Sequence, residues 1–192
     1  MTNKIIGIQG DKLDKINISS DTSIFLAHEA QQLGYKIFYY TPSNLSIIKN
    51  KTYANGVFLK FNYERKKFYK IYKKQKINVE NLKFILIRQD PPFNSEYLIT
   101  TLILDGLKKV KVINNPTAIR NVSEKLYSKH FIKYMPNTLF SNNIVEIKKF
   151  YNQNKSIIMK PINGYGGNQI HLIKNKFNKK LITNFLKKNG HS

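Results

Sequence analysis

The segment with the clearest capacity for chemistry is Lys160-Pro161-Ile162-Asn163-Gly164-Tyr165-Gly166-Gly167-Asn168. Three glycines in four positions, Gly164, Gly166 and Gly167, allow unusual φ angles and close backbone approach, so successive N–H groups can point at an anion. Lys160, at the end of a strand-like run, is placed to neutralise phosphate charge. The spacing fits neither the Walker A loop nor the dinucleotide fingerprint, because the glycines follow the lysine and a strand, not a helix, comes next. On glycine spacing alone a flexible β-hairpin turn explains the segment equally well. Other chemistries are closed off. There is no cysteine, hence no disulfide framework, zinc-thiolate site or cysteine nucleophile. The four histidines, His28, His130, His171 and His191, have no ligand spacing and read as structural or exposed. No Asp or Glu follows Glu146, so no carboxylate lies near the glycine loop to hold a metal.

The elements that must position such a loop follow from the hydrophobic pattern. Ile5–Gln9 (IIGIQ) reads as a buried strand. Asp21-Thr22-Ser23 offers N-caps to a helix carrying Ile24, Leu26, Ala27, Ala30 and Leu33, and Gly34 is placed to end it in the left-handed conformation. Lys36–Tyr40 is the next strand, stopped by Thr41-Pro42. Strand, helix, strand in this order is a βαβ unit and predicts a parallel sheet. Asn55-Gly56, between Thr52-Tyr53 and Val57-Phe58-Leu59, predicts a two-residue hairpin turn inside a small antiparallel excursion over residues 45–77. The sheet resumes at Phe84–Ile87 and exits into Arg88-Gln89-Asp90-Pro91-Pro92-Phe93, followed by a helix over Ser95–Leu107 and a strand over Lys111–Ile113. The Asn114-Asn115-Pro116 turn then closes a first domain at about residue 118, leaving residues 119–192 as a second. There the pattern predicts a helical connection around Ser123–Tyr127 and a strand at Thr138–Phe140. A helix over Asn143–Asn152 and a strand over Ser156–Lys160 follow. After the glycine loop come a strand over Gln169–Ile173 and a helix over Lys179–Lys188. This start has too little apolar surface around it to be a finished domain.

The formal charge of +22 suggests nucleic acid, but composition tempers that. Of 33 Lys and Arg, only Arg65, Arg88 and Arg120 are arginine, whereas readers of phosphates and bases favour its bidentate fork. The densest basic stretch, Arg65-Lys66-Lys67 through Lys73-Lys74 and Lys76, is interleaved with Phe68, Tyr69, Ile71 and Tyr72, the pattern of a solvated face. No apolar run approaches the roughly 18–20 residues of a membrane span. The N-terminus enters a strand-like run without a secretory h-region, so the expectation is a soluble, cytoplasmic chain.

The glycine segment resembles the phosphate-covering loop of the ATP-grasp fold, and the wider pattern is similar to prokaryotic glutathione synthetase. Four further blocks carry the likeness, in the family's order and spacing. They are Ile16-Asn17-Ile18 with Asp21 and Ser23; Ile87-Arg88-Gln89-Asp90-Pro91-Pro92-Phe93; Asn114-Asn115-Pro116 with Arg120-Asn121; and Glu124-Lys125-Leu126. The resemblance implies an α/β architecture: an N-terminal, Rossmann-like parallel-sheet domain (pre-ATP-grasp), then the first, incomplete part of an ATP-grasp α+β domain.

It further implies ligation of γ-glutamylcysteine and glycine at the expense of ATP, with Mg2+ (Mn2+ as an alternative), through an acyl phosphate. Under it Lys125 and Lys160 contact the ATP phosphates, and Gly164, Gly166 and Gly167 close the loop over them. Arg88 holds a substrate carboxylate or, on the bland reading, pairs with Asp90 and braces its loop. Asn17, Ser19 and Asp21 either line a ligand site at the first strand's exit or serve helix capping. The family forms tetramers. Two departures stand out: Lys12 follows Asp11 where the family commonly has proline, and the family's adenine hinge, metal ligands and glycine-binding loop have no counterpart here. The expectation is therefore a partial synthetase, inactive by itself. Another ATP-grasp ligase and a non-catalytic basic polyanion-binding protein are the alternatives.

Overall fold

A computed structural model describes residues 4–62 and 67–189, arranged as two compact units, Met1–Asn121 and Val122–Ser192. The readings made above for the extreme N-terminus, for Arg65 and Lys66, and for His191 lie outside the described residues. No helix among the described residues is long and apolar enough to cross a membrane.

The first unit is built on β1 (Ile5–Gln9), α1 (Thr22–Gln32) and β2 (Lys36–Tyr40), with β2 parallel to β1 and Gln9 level with Tyr40. On its other side β1 pairs in parallel with β6 (Phe84–Ile87), which pairs in turn with β7 (Lys111–Ile113). Alternate residues of these strands feed two cores. Ile6, Ile8, Ile37 and Tyr39 pack with Ile24 and Ala27 of α1. Phe38, Tyr40, Ile85 and Ile87 pack with Leu104 of α2 (Ser95–Asp105) and Val110. Burial on both faces explains why these strands read as continuous apolar runs. Capping of α1 is as expected: Asp21 Oδ1 accepts the Ser23 N–H at 2.6 Å, and Gly34 takes φ +81° where the helix ends.

The antiparallel excursion is present, but its turn is not at Asn55-Gly56. β3 (Leu45–Ile48) turns into β4 (Lys51–Phe61) through Lys49 and Asn50, at φ 47° and 61°. Asn55 and Gly56 lie inside β4. A Cβ on Gly56 would sit 2.5 Å from Phe38 Cζ and 2.6 Å from the Tyr39 carbonyl oxygen. The glycine therefore serves a close approach between β4 and β2, not a reversal of the chain. Gly56→Ala is expected to cost about 1–3 kcal/mol through overpacking. Asn50→Gly, at a position of positive φ, should be neutral or stabilising. Urea midpoints of the two variants check this, and equal small effects would contradict it.

β5 (Tyr69–Asn78) pairs, among the described residues, only with β4 and forms an edge there, with Lys70, Lys73, Lys74 and Lys76 exposed. Long charged side chains along a free edge discourage further strand pairing. The described part of the basic stretch is thus the solvated face expected of it.

The second unit packs α4 (Ile144–Asn154) and α5 (Lys179–Asn189) on one face of an antiparallel ribbon of β8 (Ser156–Met159) and β9 (His171–Lys174). Ile147, Tyr151, Ile157, Met159, Ile173 and Ile182 form its core. The helical connection starts later than expected, as a 3-10 segment over Leu126–Tyr134. Thr138–Phe140 is not a strand: no neighbouring strand pairs with it, and the Thr138 hydroxyl bonds the Pro136 carbonyl at 2.8 Å. β9 begins at His171 and not at Gln169, because Gln169 is turned to φ 56°.

Candidate functional site

In the first unit, polar groups gather at the carboxyl ends of β1 and β6, where open α/β sheets place ligands. The Gln9 side-chain amide donates to Gln89 Oε1, joining the two strand ends. The Arg88 N–H donates to the Gln9 carbonyl at 2.7 Å. Its guanidinium then reaches across to the start of α1. Nε donates to Ser23 Oγ at 3.0 Å and an Nη to Thr22 Oγ1 at 2.6 Å. The guanidinium's hydrogen bonds thus go to α1 and not to Asp90, as the bland reading had it, although its charge acts on that carboxyl; the Asp90 N–H donates to Asp11 Oδ2 at 2.8 Å. Tyr39 completes the tie, donating its hydroxyl to the Asp11 carbonyl at 2.6 Å.

The electrostatics of this end of the sheet bear on Asp90. Burial pushes the Asp90 carboxyl up, the neighbouring Asp11 and Asp21 charges add to this, and Arg88 opposes it. Burial, with the same three acids, also keeps the Tyr39 phenol protonated.

Asn17 shapes the β1 exit loop. Its Oδ1 accepts the Ser19 N–H at 3.1 Å and the Ser19 hydroxyl at 2.7 Å, while its carbonyl accepts the Asp21 N–H at 3.0 Å. Asn17, Ser19 and Asp21 thus have structural duties of their own. Ser19 and Asp21, with Ile18, Ser20, Thr22 and Phe25, also line an open cavity of about 410 Å³. Lys12, which replaces the family's proline, has φ −59°, the value a proline ring would impose, so this backbone needs no rearrangement. Arg120 is occupied within the fold: it bonds Asp105 at 2.6 Å and, with Thr117, holds the Asp105 carboxyl below the usual carboxylate range.

In the second unit, β8 delivers Lys160 exposed at its end. The loop that follows is two tight turns, closed by the Gly164 N–H to the Pro161 carbonyl at 3.2 Å and the Asn168 N–H to the Tyr165 carbonyl at 3.1 Å. Gly164 lies against Pro161, where a Cβ would fall 2.3 Å from the ring's Cγ. Gly166 and Gly167 take φ 60° and 73°. Lys125 meets this loop: its Nζ donates to the Gly164 carbonyl oxygen and lies 3.3 Å from Glu124 Oε1. Lys125 is thus brought to the glycine loop that follows Lys160, although it stands 39 residues from Gly164 in sequence. Sequence reading did not assign Thr22, Ser23, Asp11, Tyr39 or the Gln9–Gln89 pair as positioning groups. Thr22 and Ser23 had a signal as capping residues, Ser23 and Gln89 as members of motif blocks, and Asp11 as the acid at the first strand's exit; Tyr39 and Gln9 had none.

The parallel sheet with its strand-exit site, together with the β8–glycine loop–β9 ribbon backed by two helices, is the ATP-grasp class of architecture. The solved structure of D-alanyl-alanine synthetase A from Vibrio cholerae shares the fold, with a TM-score of 0.54 at 14% identity over 95% of this chain and 55% of that one. Residues 5–120 match the N-terminal domain of prokaryotic glutathione synthetase, and residues 124–192 match that family's ATP-grasp domain. The chain belongs to the prokaryotic glutathione synthetase family.

Glutathione synthetase of Mesorhizobium japonicum is 35% identical over 163 residues, 84% of this chain and 52% of the relative. That of Buchnera aphidicola subsp. Acyrthosiphon pisum is 35% identical over 171 residues, 88% and 53%. That of Wigglesworthia glossinidia brevipalpis is 36% identical over 190 residues, 97% and 60%. The chain spans about half the length of the curated relatives it matches.

Proposed function

We propose that this chain supplies the acid-substrate and phosphate-handling parts of a ligase that joins γ-glutamylcysteine to glycine at the expense of ATP. The observation that supports the reading is the Lys125–Gly164 contact, which brings a second lysine to the glycine loop that follows Lys160. Two ammonium charges and the loop's N–H groups suit a nucleotide's phosphates. Lys160 and Lys125 draw charge from the phosphoryl group as it transfers to the carboxylate of the dipeptide's cysteine residue, giving an acyl phosphate and ADP. Glycine's amine then attacks the carbonyl carbon, the amide C–N bond forms, phosphate leaves with its electron pair, and the amine gives up a proton. The glycine loop limits water access, which matters because an acyl phosphate hydrolyses readily. Arg88, already set by Thr22 and Ser23, holds a carboxylate of the dipeptide, and Asn17, Ser19 and Asp21 border the same place.

Mg2+ or Mn2+, which the family resemblance implies, does not fit these residues. The second unit's carboxylates are Glu124, beside Lys125 at 3.3 Å, and Glu146, paired with Lys149 at 2.8 Å. No group of three metal-binding side chains occurs among the described residues. A cytoplasmic location and a tetrameric assembly complete the reading.

The test joins these 192 residues to the remaining C-terminal part of the Buchnera relative and measures ADP release. Release that requires both γ-glutamylcysteine and glycine is expected from the fusion and none from the 192 residues alone. Release with a different acid or amine, and none with this pair, would overturn the substrate assignment.

A further inference from the structure

A row of lysines crosses the first sheet at the end away from Arg88. Lys60 of β4 stands directly opposite Lys70 of β5. On the other side of β4, Ile37 faces Leu59, which sets Lys36 of β2 opposite Lys60. Ile5 of β1 is level with Lys36, and Lys83 closes the row, its N–H donating to the Ile5 carbonyl at 2.8 Å. Residues level with one another across a sheet share a face. Ile5 packs on the core around Phe38 and Phe58, so the lysines emerge along the border of that face, and all four are exposed. The row crosses β6, β1, β2, β4 and β5. At about 4.8 Å per strand it is roughly 19 Å long. Like charges directly opposite one another in a sheet are destabilising. Lys36, Lys60 and Lys70 make two such pairs in succession, and no ion pair of the four lysines occurs among the described residues. Beside the row β5 bulges: Phe58 faces Lys73 and Leu59 faces Ile71, which leaves Tyr72 as the extra residue. Tyr72 is 52% exposed, with its ring 6.1 Å from that of Phe58.

We propose that this row binds single-stranded nucleic acid by its phosphodiester backbone, with Tyr72 stacking on a base. A phosphate between two opposed lysines turns their repulsion into attraction and releases counterions. The row is linear and one lysine deep, which suits a chain of phosphates; an anionic membrane needs a broad face with apolar anchors. Lysine is a compact point charge without arginine's fork, so the contact holds phosphate and reads no sequence. An exposed ring braced from behind is the platform on which any base can stack. The row lies at the amino ends of β1, β2 and β6, whereas Arg88 leaves the carboxyl end of β6. Five residues of extended chain, about 16 Å, separate Lys83 from Arg88. This binding is separate from the ligase reading, and either can fail alone.

Fluorescence anisotropy of a labelled oligouridylate of about 12 nucleotides, titrated with the 192-residue chain at several salt concentrations, decides it. Lys36→Gln, Lys60→Gln and Lys70→Gln together should raise Kd about 10-fold or more. They should also make the slope of log Kd against log salt about 2 units shallower, since three phosphate contacts are lost at about 0.7 each. Lys180→Gln, Lys187→Gln and Lys188→Gln on α5 change the net charge equally and should move Kd less than about 3-fold. Tyr72→Ala should weaken binding about 5-fold or more at an unchanged slope, because stacking releases no counterions. The row variant should melt no lower than the parent, with two like-charge pairs gone. Oligothymidylate of the same length tells RNA from DNA, and binding of either supports the row. A parent that binds neither, equal losses in the two triple variants, or a row variant with the parent's slope would each overturn the proposal. So would Tyr72→Ala binding as the parent does, or tighter binding of poly-glutamate or phosphatidylserine vesicles than of either oligonucleotide.

Discussion

Lys160→Met, made in the fusion that carries the relative's C-terminal part, is expected to lower kcat/KM for ATP by about 10²–10³-fold, the usual cost of removing one preorganised charge from a developing anion. Methionine keeps most of the stem and removes only the charge. Lys160 is exposed at the end of β8, and no hydrogen bond or ion pair of its Nζ occurs among the described residues. Stability should therefore be unchanged, which separates a phosphate contact from a structural one. Lys125 is not so clean a probe, because its Nζ already serves the Gly164 carbonyl and lies beside Glu124. Steady-state ADP release, read beside a thermal melt, checks the expectation. A variant that keeps its kcat/KM would remove Lys160 from the phosphate site.

Arg88→Lys should raise KM for the acid substrate roughly 10–100-fold while changing kcat less, the pattern of a lost ground-state contact. The guanidinium spends Nε and one Nη on Ser23 and Thr22 and is held as a plane at the carboxyl end of β6. A lysine offers one compact charge on a flexible stem and cannot hold both hydroxyls and a carboxylate in one geometry. If Arg88 only tied the β6 exit loop to α1, the same change would lower the melting temperature and leave KM alone. Kinetics with varied γ-glutamylcysteine, set beside that melt, separate the two roles.

The regular elements were legible wherever local pattern and tertiary need agree. IIGIQ, KIFYY and FILI are strands because residues buried on both faces must be apolar throughout, and Asp21 and Gly34 bracket α1 for reasons contained in their own side chains. The glycine loop was legible for a similar reason, since positive φ at Gly166 and Gly167 is a local demand. Asn55-Gly56 misled because the same dipeptide that makes a tight turn also permits close strand contact. Only the position of Phe38 shows which of the two applies.

What the sequence determined by itself is most of the strands and helices, the parallel pairing of the first sheet, the glycine loop after Lys160, and, through five motif blocks, the family. These depend on residues near one another in the chain, or on patterns that survive in relatives. Tertiary structure alone decided that Arg88 meets Thr22 and Ser23 across 65 or more residues, that Lys125 touches Gly164, and that α2 turns leucine and isoleucine outward over buried threonines. The physical reason is that a side chain's partner is set by which strands lie side by side, and sheet order is a property of the packed core, not of any one segment.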